Sequence, residues 1–536
     1  MSHVERRAAR RILCALMIGG GLSGGTARPI AAQFSPWATF PLQYADARVL
    51  PAGILRVGFL PSYANYDSRF ASDGTVEPLG TDLTADTAGS NLLWSLGTAE
   101  LAVRRLTGDS TYRMTLGPIR TQLDADVRRI PLDVALGLTS RLTLTARVSL
   151  VKTRMQATVT LDSLQGNVGW NQAAGQAGNA TGATGIAALL TQLADRILTL
   201  DIRIRGGAYG CPSSADCAMA MATLTRAQAL WANLNALTGA DAAARPATAP
   251  LAASPAGLAV QSEIAAVKAA LGNPTLGLAP VTGSLALPTK SLTATDFQTL
   301  LGAAEFGYGL RPIATTDISR IGDSEVGVRL GLLQSAAARI VLHGAARLPT
   351  GTRDSLDHAV DLGTGDKQFD AEVGVEAAVE TRALGLSASA IYTRQFADNL
   401  ALRSPQTPGI FLVPEAFAGD FRRYLGDVLQ LSAYPSIQLN PAFRVFAFAH
   451  YYRKAGDRFE PLDPVGPSPD VTITDPAWAL NLGGGIHYRA ERAGTDVVKL
   501  PVEAGLSYQA AYRGEGVGTP KSTILNMYLR LHYRIW

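Results

Sequence analysis

Between Asp323 and Arg394, ionisable side chains recur two or four positions apart along three runs. Glu325 and Arg329 lie on one such run and Arg339, His343 and Arg347 on the next. Asp370, Glu372, Glu376 and Glu380 lie on a third. A spacing of two puts side chains on one face of a β-strand. Opposite charges on neighbouring strands make cross-strand pairs worth ~0.2–1 kcal/mol each. The same array around a pore would make a field that sorts solutes. His487, Arg530 and His532 take equivalent positions on later runs. These twelve residues are the candidate lumen-lining set. Hydrolysis would need a serine beside an oriented histidine. His343, His358, His450, His487 and His532 all lack a serine two positions on, where an outer-membrane phospholipase pattern would put it. There is no glycine-rich phosphate loop and no His/Cys/Asp set with metal spacing. No catalytic residue, metal or cofactor is expected, and a barrel enzyme is the least favoured reading.

The elements that must position these charges are strands with one apolar face. Val326, Val328, Leu330 and Leu332 oppose Glu325 and Arg329; Ile340, Leu342, Ala346 and Leu348 oppose Arg339, His343 and Arg347. Val373, Val375, Ala377 and Val379 oppose the four acids, and Leu386, Ala388, Ala390 and Tyr392 oppose Ser387, Ser389 and Thr393. A soluble sandwich would alternate too, with its apolar face inward. The charge runs, the ~10-residue length and the number of such segments favour apolar outward, the pattern of a membrane β-barrel. No apolar run approaches the ~20 residues that a spanning helix needs.

Arg6, Arg7, Arg10 and Arg11 precede an apolar stretch from Ile12 to Leu22, and small residues lead to Ala31-Ala32. That order describes a secretory signal peptide over 1–32. Its five arginines and one glutamate, taken from 48 basic and 44 acidic residues, leave 43 of each. The basicity belongs to the leader, so no nucleic-acid partner is expected. Cys211 and Cys217 remain in an exported chain, and a small disulfide loop is the default.

Residues 33–51 show no period and are placed at the periplasmic side. Ile54 to Tyr63 reads as a first strand, Asn91 to Leu106 as either a strand or a short amphipathic helix, and Tyr112, Met114 and Leu116 as the start of another strand. Ile130–Leu138 and Leu142–Leu150 form a hairpin, with a phase slip near Val151–Arg154 read as a bulge or the barrel rim. From 165 to 300 only 13 of 136 residues are charged. Ile186, Leu189, Leu190, Leu193 and Ile197 have helical spacing, as do Leu224, Leu230, Trp231 and Leu234, and Ile264, Val267 and Leu271 before Gly272. Thr293 to Asp296 reads as a capping box ahead of Phe297, Leu300 and Leu301. Four short helices are expected, as a cap or a plug.

Strands then follow at 429–438, 443–453 (facing unsettled), 478–489, 502–512 and 525–535. Short connections near 138–140, 334–338, 381–384 and 440–441 alternate with long ones, as periplasmic turns and outer loops do. The fold class is thus an all-β membrane protein, an antiparallel outer-membrane barrel of about fourteen strands (12–16) with a helical insertion on the extracellular side. Its parts are 33–162, the insertion 163–304, and 305–536. Trp536 ends the chain as an aromatic, one residue out of phase with the signal that the barrel-assembly machinery reads.

Ile321-Gly-Asp-Ser-Glu-Val-Gly-Val-Arg-Leu-Gly-Leu-Leu333, Ala346-Arg-Leu-Pro-Thr-Gly351 and Leu362-Gly-Thr-Gly-Asp366 resemble, in order and spacing, the outer-membrane channel family linked to the meta-pathway of phenol degradation. The resemblance covers about 75 residues and implies a barrel that passes small aromatic or other hydrophobic compounds. The helical insertion departs from the pattern. Read together, the chain is an outer-membrane channel or transporter in contact with outer-membrane lipid, its solute unknown. The alternative is a surface-exposed structural or adhesive barrel with a blocked lumen.

Overall fold

The computed structural model describes residues 47–172, 180–239, 246–404, 411–462, 472–490, 502–516 and 518–536. The leader expected over 1–32 lies outside them. Fourteen strand segments form one antiparallel sheet closed on itself. In chain order they are β1 (Ile54–Phe59), β2 (Ser62–Tyr66), β3 (Ile119–Gly137), β4 (Leu142–Leu161), β5 (Thr316–Ile321), β6 (Ser324–Gln334) and β7 (Ala338–Leu348). The rest are β8 (Asp370–Glu380), β9 (Leu384–Gln395), β10 (Val428–Gln438), β11 (Phe443–Lys454), β12 (Ala477–Arg489), β13 (Val502–Glu515) and β14 (Thr523–Arg534).

The wall has twelve staves, not fourteen. β1 and β2 are one stave, because both keep a single register against β3 and against β14 across Leu60-Pro61. β5 and β6 are another, displaced by one residue along β4 at Gly322-Asp323, where Gly322 N donates to Ser149 O at 2.8 Å. The excess in the sequence reading comes from 91–116. Leu96–Thr107 is a helix, α1, and Tyr112, Met114 and Leu116 lie in an irregular segment before β3, Met114 and Leu116 fully buried. No helix among the described residues is long and apolar enough to cross a membrane.

The apolar faces turn outward. Val326, Val328, Leu330 and Leu332 are all exposed, as are Leu342, Val373, Val375 and Val379. Arg339, Asp370 and Glu376 on the other face are buried. Two sets of aromatic rings bound this belt. Phe443 and Tyr488 pair at 5.0 Å near the short turns, and Tyr451 and Trp478 at 6.1 Å near the long connections. Eight residues of tilted strand separate the two on β11, about 20 Å of height, close to the belt of a membrane barrel. The chain is a bacterial outer-membrane barrel.

No bulge occurs at Val151–Arg154. β3 and β4 keep one register from Ile119↔Leu161 to Gly137↔Thr143. What changes there is polarity. Leu142, Leu144, Ala146, Val148 and Leu150 face outward below that point, and Lys152, Arg154, Gln156 and Thr158 above it. Inside, Arg147 and Ser149 give way to Val151, Met155, Ala157 and Val159. The strand leaves the bilayer, so its wet face moves to the outside.

Those inner apolar positions share one core with the helices. Val127, Ala125, Leu123 and Met155 cluster with Leu193, Leu234, Val260 and Phe297. The four expected helices are present as α2 (Ala180–Arg205), α3 (Ala215–Thr238), α4 (Pro255–Leu271) and α5 (Ala294–Gly302). α5 starts with the expected capping box, Thr293 and Asp296 bonding each other's backbone. Burial raises the Asp296 carboxyl, but bonds from the Thr293 N–H, the Thr293 hydroxyl and the Trp170 indole hold it below its ordinary value. Cys211 and Cys217 form the expected disulfide between α2 and α3.

Candidate functional site

All twelve charged or histidine positions singled out above lie on the inner face of the ring, and side-chain contacts, diagonal or reaching past the adjacent strand as well as directly across, pair most of them. Arg329 holds Glu376 with two bonds, at 3.0 and 2.7 Å. Glu380 receives Arg339 at 2.7 Å, Arg444 at 2.6 Å and Arg48 at 3.5 Å. His343 meets Glu372 at 2.7 Å and Arg347 meets Asp370 at 3.1 Å. Arg147 joins Glu325 at 3.6 Å to Asp133 at 3.5 Å, and Asp133 also takes Arg56 at 3.0 Å. His487, Arg530 and His532 are not brought to this lattice. His487 bonds the Tyr528 hydroxyl, Arg530 reaches Glu503 at 3.6 Å and lies 5.0 Å from the Tyr528 ring, and His532 stands opposite Arg56 on β1.

Among the described residues the interior is filled where a water-lined bore would run. Interior side chains cover one another, and Val341, Glu376, His450 and Gln509 are 0–3 % exposed. Part of the filling is a segment that the sequence reading left outside. Ala47–Pro51 enters the barrel at the end with the short turns. Leu50 N donates to Thr143 Oγ1 at 2.9 Å, Arg329 reaches the Arg48 carbonyl at 3.4 Å, and Gln334 the Ala47 carbonyl at 3.3 Å. Ala47 packs with Val341 and Ala378, and Val49 lies against them.

The residues of the family resemblance form one knot at the other end of the same wall. The Asp323 carboxylate accepts from Gly351 N at 2.8 Å and Asp366 N at 3.1 Å. Thr350 donates to Gly322 O at 2.8 Å, and Thr364 to Ile321 O at 3.1 Å. A Cβ on Gly365 would collide with Asp323, and one on Gly351 would lie 2.7 Å from Gly365 Cα. The three short motifs are therefore the three sides of one turn-locking contact. It folds the 349–369 connection inward, where Thr153 donates to Leu362 O at 2.7 Å.

Across the bore the wall is different. On β10 and β11, Tyr434, Phe446 and Phe448 face inward and form a cluster with ring centroids 5.6–6.3 Å apart. The ring tips of Phe448 and Phe446 lie against Gly483 and Gly485 of β12, where an added Cβ would stand 2.6 and 2.7 Å from them. Tyr528 covers Gly505 in the same way. Such rings shield glycine backbone that has no side chain of its own. Sequence reading missed this wall because both faces of Phe443–Arg453 are apolar or aromatic. The signal was there in the facing strand, as Gly483-Gly484-Gly485.

The interior also holds a serine–histidine contact, Ser432 Oγ to His450 Nδ1 at 2.8 Å. The other ring nitrogen of His450 meets no carboxylate, so this is not a catalytic triad. An Asp361–His358 contact at 3.3 Å lies in the 349–369 connection, where burial raises the Asp361 carboxyl, but Ser355 meets it only through its backbone N–H. No group of three metal-ligating side chains occurs among the described residues.

No family model matches the chain. No curated protein matches it in sequence. Among solved structures it is similar to an outer membrane channel of Pseudomonas putida F1, at 10% identity and a TM-score of 0.40, over 92% of this chain and 100% of that one. It is also similar to a FadL homologue of Pseudomonas aeruginosa (10% identity, TM-score 0.26, 96% and 99% covered) and to the toluene transporter TbuX of Ralstonia pickettii (8%, 0.27, 91% and 90%).

Proposed function

We propose that the chain is an outer-membrane channel for small solutes of low charge with a hydrophobic or aromatic body, closed at its inner end by Ala47–Pro51. The observation that carries this is the aromatic wall of Tyr434, Phe446, Phe448 and Tyr528, the last three of them on glycine seats. It offers planar contact to a ring-bearing solute. The opposite wall supports the same solute class, because its arginines and carboxylates are paired with each other and leave little net field for an ion. The solute class agrees with what the resemblance of 321–366 implies, and a place beside phenol catabolism rests on that resemblance alone. The helical unit is read as a cap on the outer end, and the terminal Trp536 as an address for the barrel-assembly machinery.

The test uses full-length protein and a variant with Ala47–Pro51 replaced by a Gly-Ser segment of equal length. Native protein in planar bilayers is expected to pass little ionic current and the variant distinctly more. Cells producing the native protein should take up labelled toluene faster than cells without it. Unchanged toluene uptake together with no current from either form would sink the channel and leave the structural barrel with a blocked lumen.

A further inference from the structure

The aromatic wall is bordered by an arc of uncharged polar side chains that the ion-pair lattice does not use. Ser432 on β10 stands opposite His450 on β11, and His450 opposite Asn481 on β12. Asn481 faces Ala511 on β13, whose N–H bonds the carbonyl of Ser522 at 2.9 Å. One step along β13, Gln509 stands opposite Gly483, the seat of the Phe448 ring. Cross-strand partners carry side chains on the same face. Ser432, His450, Asn481, Gln509 and Ser522 therefore form one patch, touching Phe448 at its edge.

Within this patch His450 and Asn481 are 1 % exposed and Gln509 is 0 %. Yet His450 Nε2, Asn481 Nδ2, Ser522 Oγ and both terminal atoms of Gln509 have no hydrogen-bond partner among the described residues. A buried polar atom without a partner has given up its hydration for nothing in return, and five close together concentrate that cost in one place. Together they present amide donors from Asn481 and Gln509, an acceptor from Gln509, a hydroxyl, and a ring nitrogen whose role follows its tautomer. No carboxylate or guanidinium belongs to the patch.

We propose that this patch is a solute subsite for an uncharged group that both donates and accepts hydrogen bonds, an amide or a hydroxyl, carried on a ring that stacks on Phe448. The subsite rests on the channel reading above and adds selectivity to it. Neutral polar groups exchange hydrogen bonds with such a solute at little net cost. A carboxylate or ammonium entering the same patch would lose its hydration with no counter-charge to replace it. The order of preference is therefore a ring bearing a carboxamide over the same ring bearing a charge.

The test is binding of benzamide, benzoate and benzylammonium to detergent-purified full-length protein by saturation-transfer NMR. Benzamide is expected to bind at least tenfold more tightly than either ion. Gln509→Leu and Asn481→Leu should each weaken benzamide about tenfold, equivalent to ~1.4 kcal/mol. Folding is read from heat-modifiable migration on gels; should the leucine variants fail to assemble, Gln509→Met and Asn481→Ser take their place. Benzamide affinity unchanged in folded variants, or benzoate bound as tightly as benzamide, overturns the subsite. Either result leaves toluene uptake, and with it the channel, untouched. No toluene uptake by cells producing the native protein would instead remove the channel reading, and with it the subsite's role in solute passage.

Discussion

The two sides of the barrel interior solve the same problem with different chemistry. From β3 to β8 the inner wall is ionised, and Asp133, Glu325, Asp370, Glu372, Glu376 and Glu380 are each paired with a guanidinium or imidazole, some of them reaching past the adjacent strand. From β10 to β14 it is mainly aromatic and amide-bearing, with rings on glycine seats and unpartnered buried polar atoms that are neutral, its charges being Arg444 on Glu380 and Glu503 between Arg489 and Arg530. Buried charge must be matched in place, so the first wall is fixed by its pairs and stiff. Rings and amides carry no such demand, so the second wall can offer contact to a third party. The difference separates structure from recognition within one ring of strands.

The sharpest break of this comparison is at Glu380, which serves three arginines. Glu380→Ala leaves buried guanidinium charge uncompensated, a change that costs about 3–5 kcal/mol. It should appear as a large fall in urea midpoint of the folded band on unheated gels. A midpoint within error of the native one would show that the lattice only decorates the wall. On the other side Gly483→Val drives a branched side chain against the Phe448 ring and the Tyr508 carbonyl of β13, with an expected cost of about 1–3 kcal/mol. The paired variant Gly483→Val/Phe448→Ala should cost less than the sum of the two single variants, and a cost equal to that sum would mean that ring and glycine do not compete for the same space.

Smaller effects belong outside the bilayer. Thr293→Ala removes the cap of α5 and should cost about 1 kcal/mol. That loss should be seen as faster amide exchange in α5 with β-barrel protection unchanged. The Asp296 carboxyl is held below its ordinary value in the fold, so its contribution is present above about pH 4. It is lost as pH falls through the depressed value. Exchange in α5 should therefore accelerate on acidification in that window, and acceleration on raising pH from 5 to 8, beyond the intrinsic chemistry, would contradict the assignment. Smallest is Lys152–Asp317 at 2.9 Å, half-exposed just above the apolar belt. Lys152→Ala should change stability by less than about 1 kcal/mol.

Much of the wall was legible residue by residue. Period-two alternation in 325–348 and 369–393 places Arg329, Arg339, Glu372 and Glu376 on one face whatever the partners are, since strand geometry fixes it. The helical spacings at 186–197, 224–234 and 264–271 and the Thr293 capping box were equally local. What failed was non-local. At Val151–Arg154 the alternation kept its register and exchanged its polarity. A single strand cannot reveal that, because the exchange marks where the bilayer ends. Leu96–Thr107 carries an amphipathic pattern short enough to suit either element, and the core it shares with α3 and α4 decided for the helix.

The sequence by itself determined which residues share a face of the charged strands from Glu325 to Thr393, and the capping box of α5, because those follow from neighbours one to four positions away. Only the tertiary structure decided that three short glycine-bearing motifs close around the single carboxylate of Asp323, that Phe446 and Phe448 lie on glycines of the next strand, and that Ala47–Pro51 fills the inner mouth. Each of these is a contact across the ring, set by register and closure, and chain-local periodicity contains no term for either.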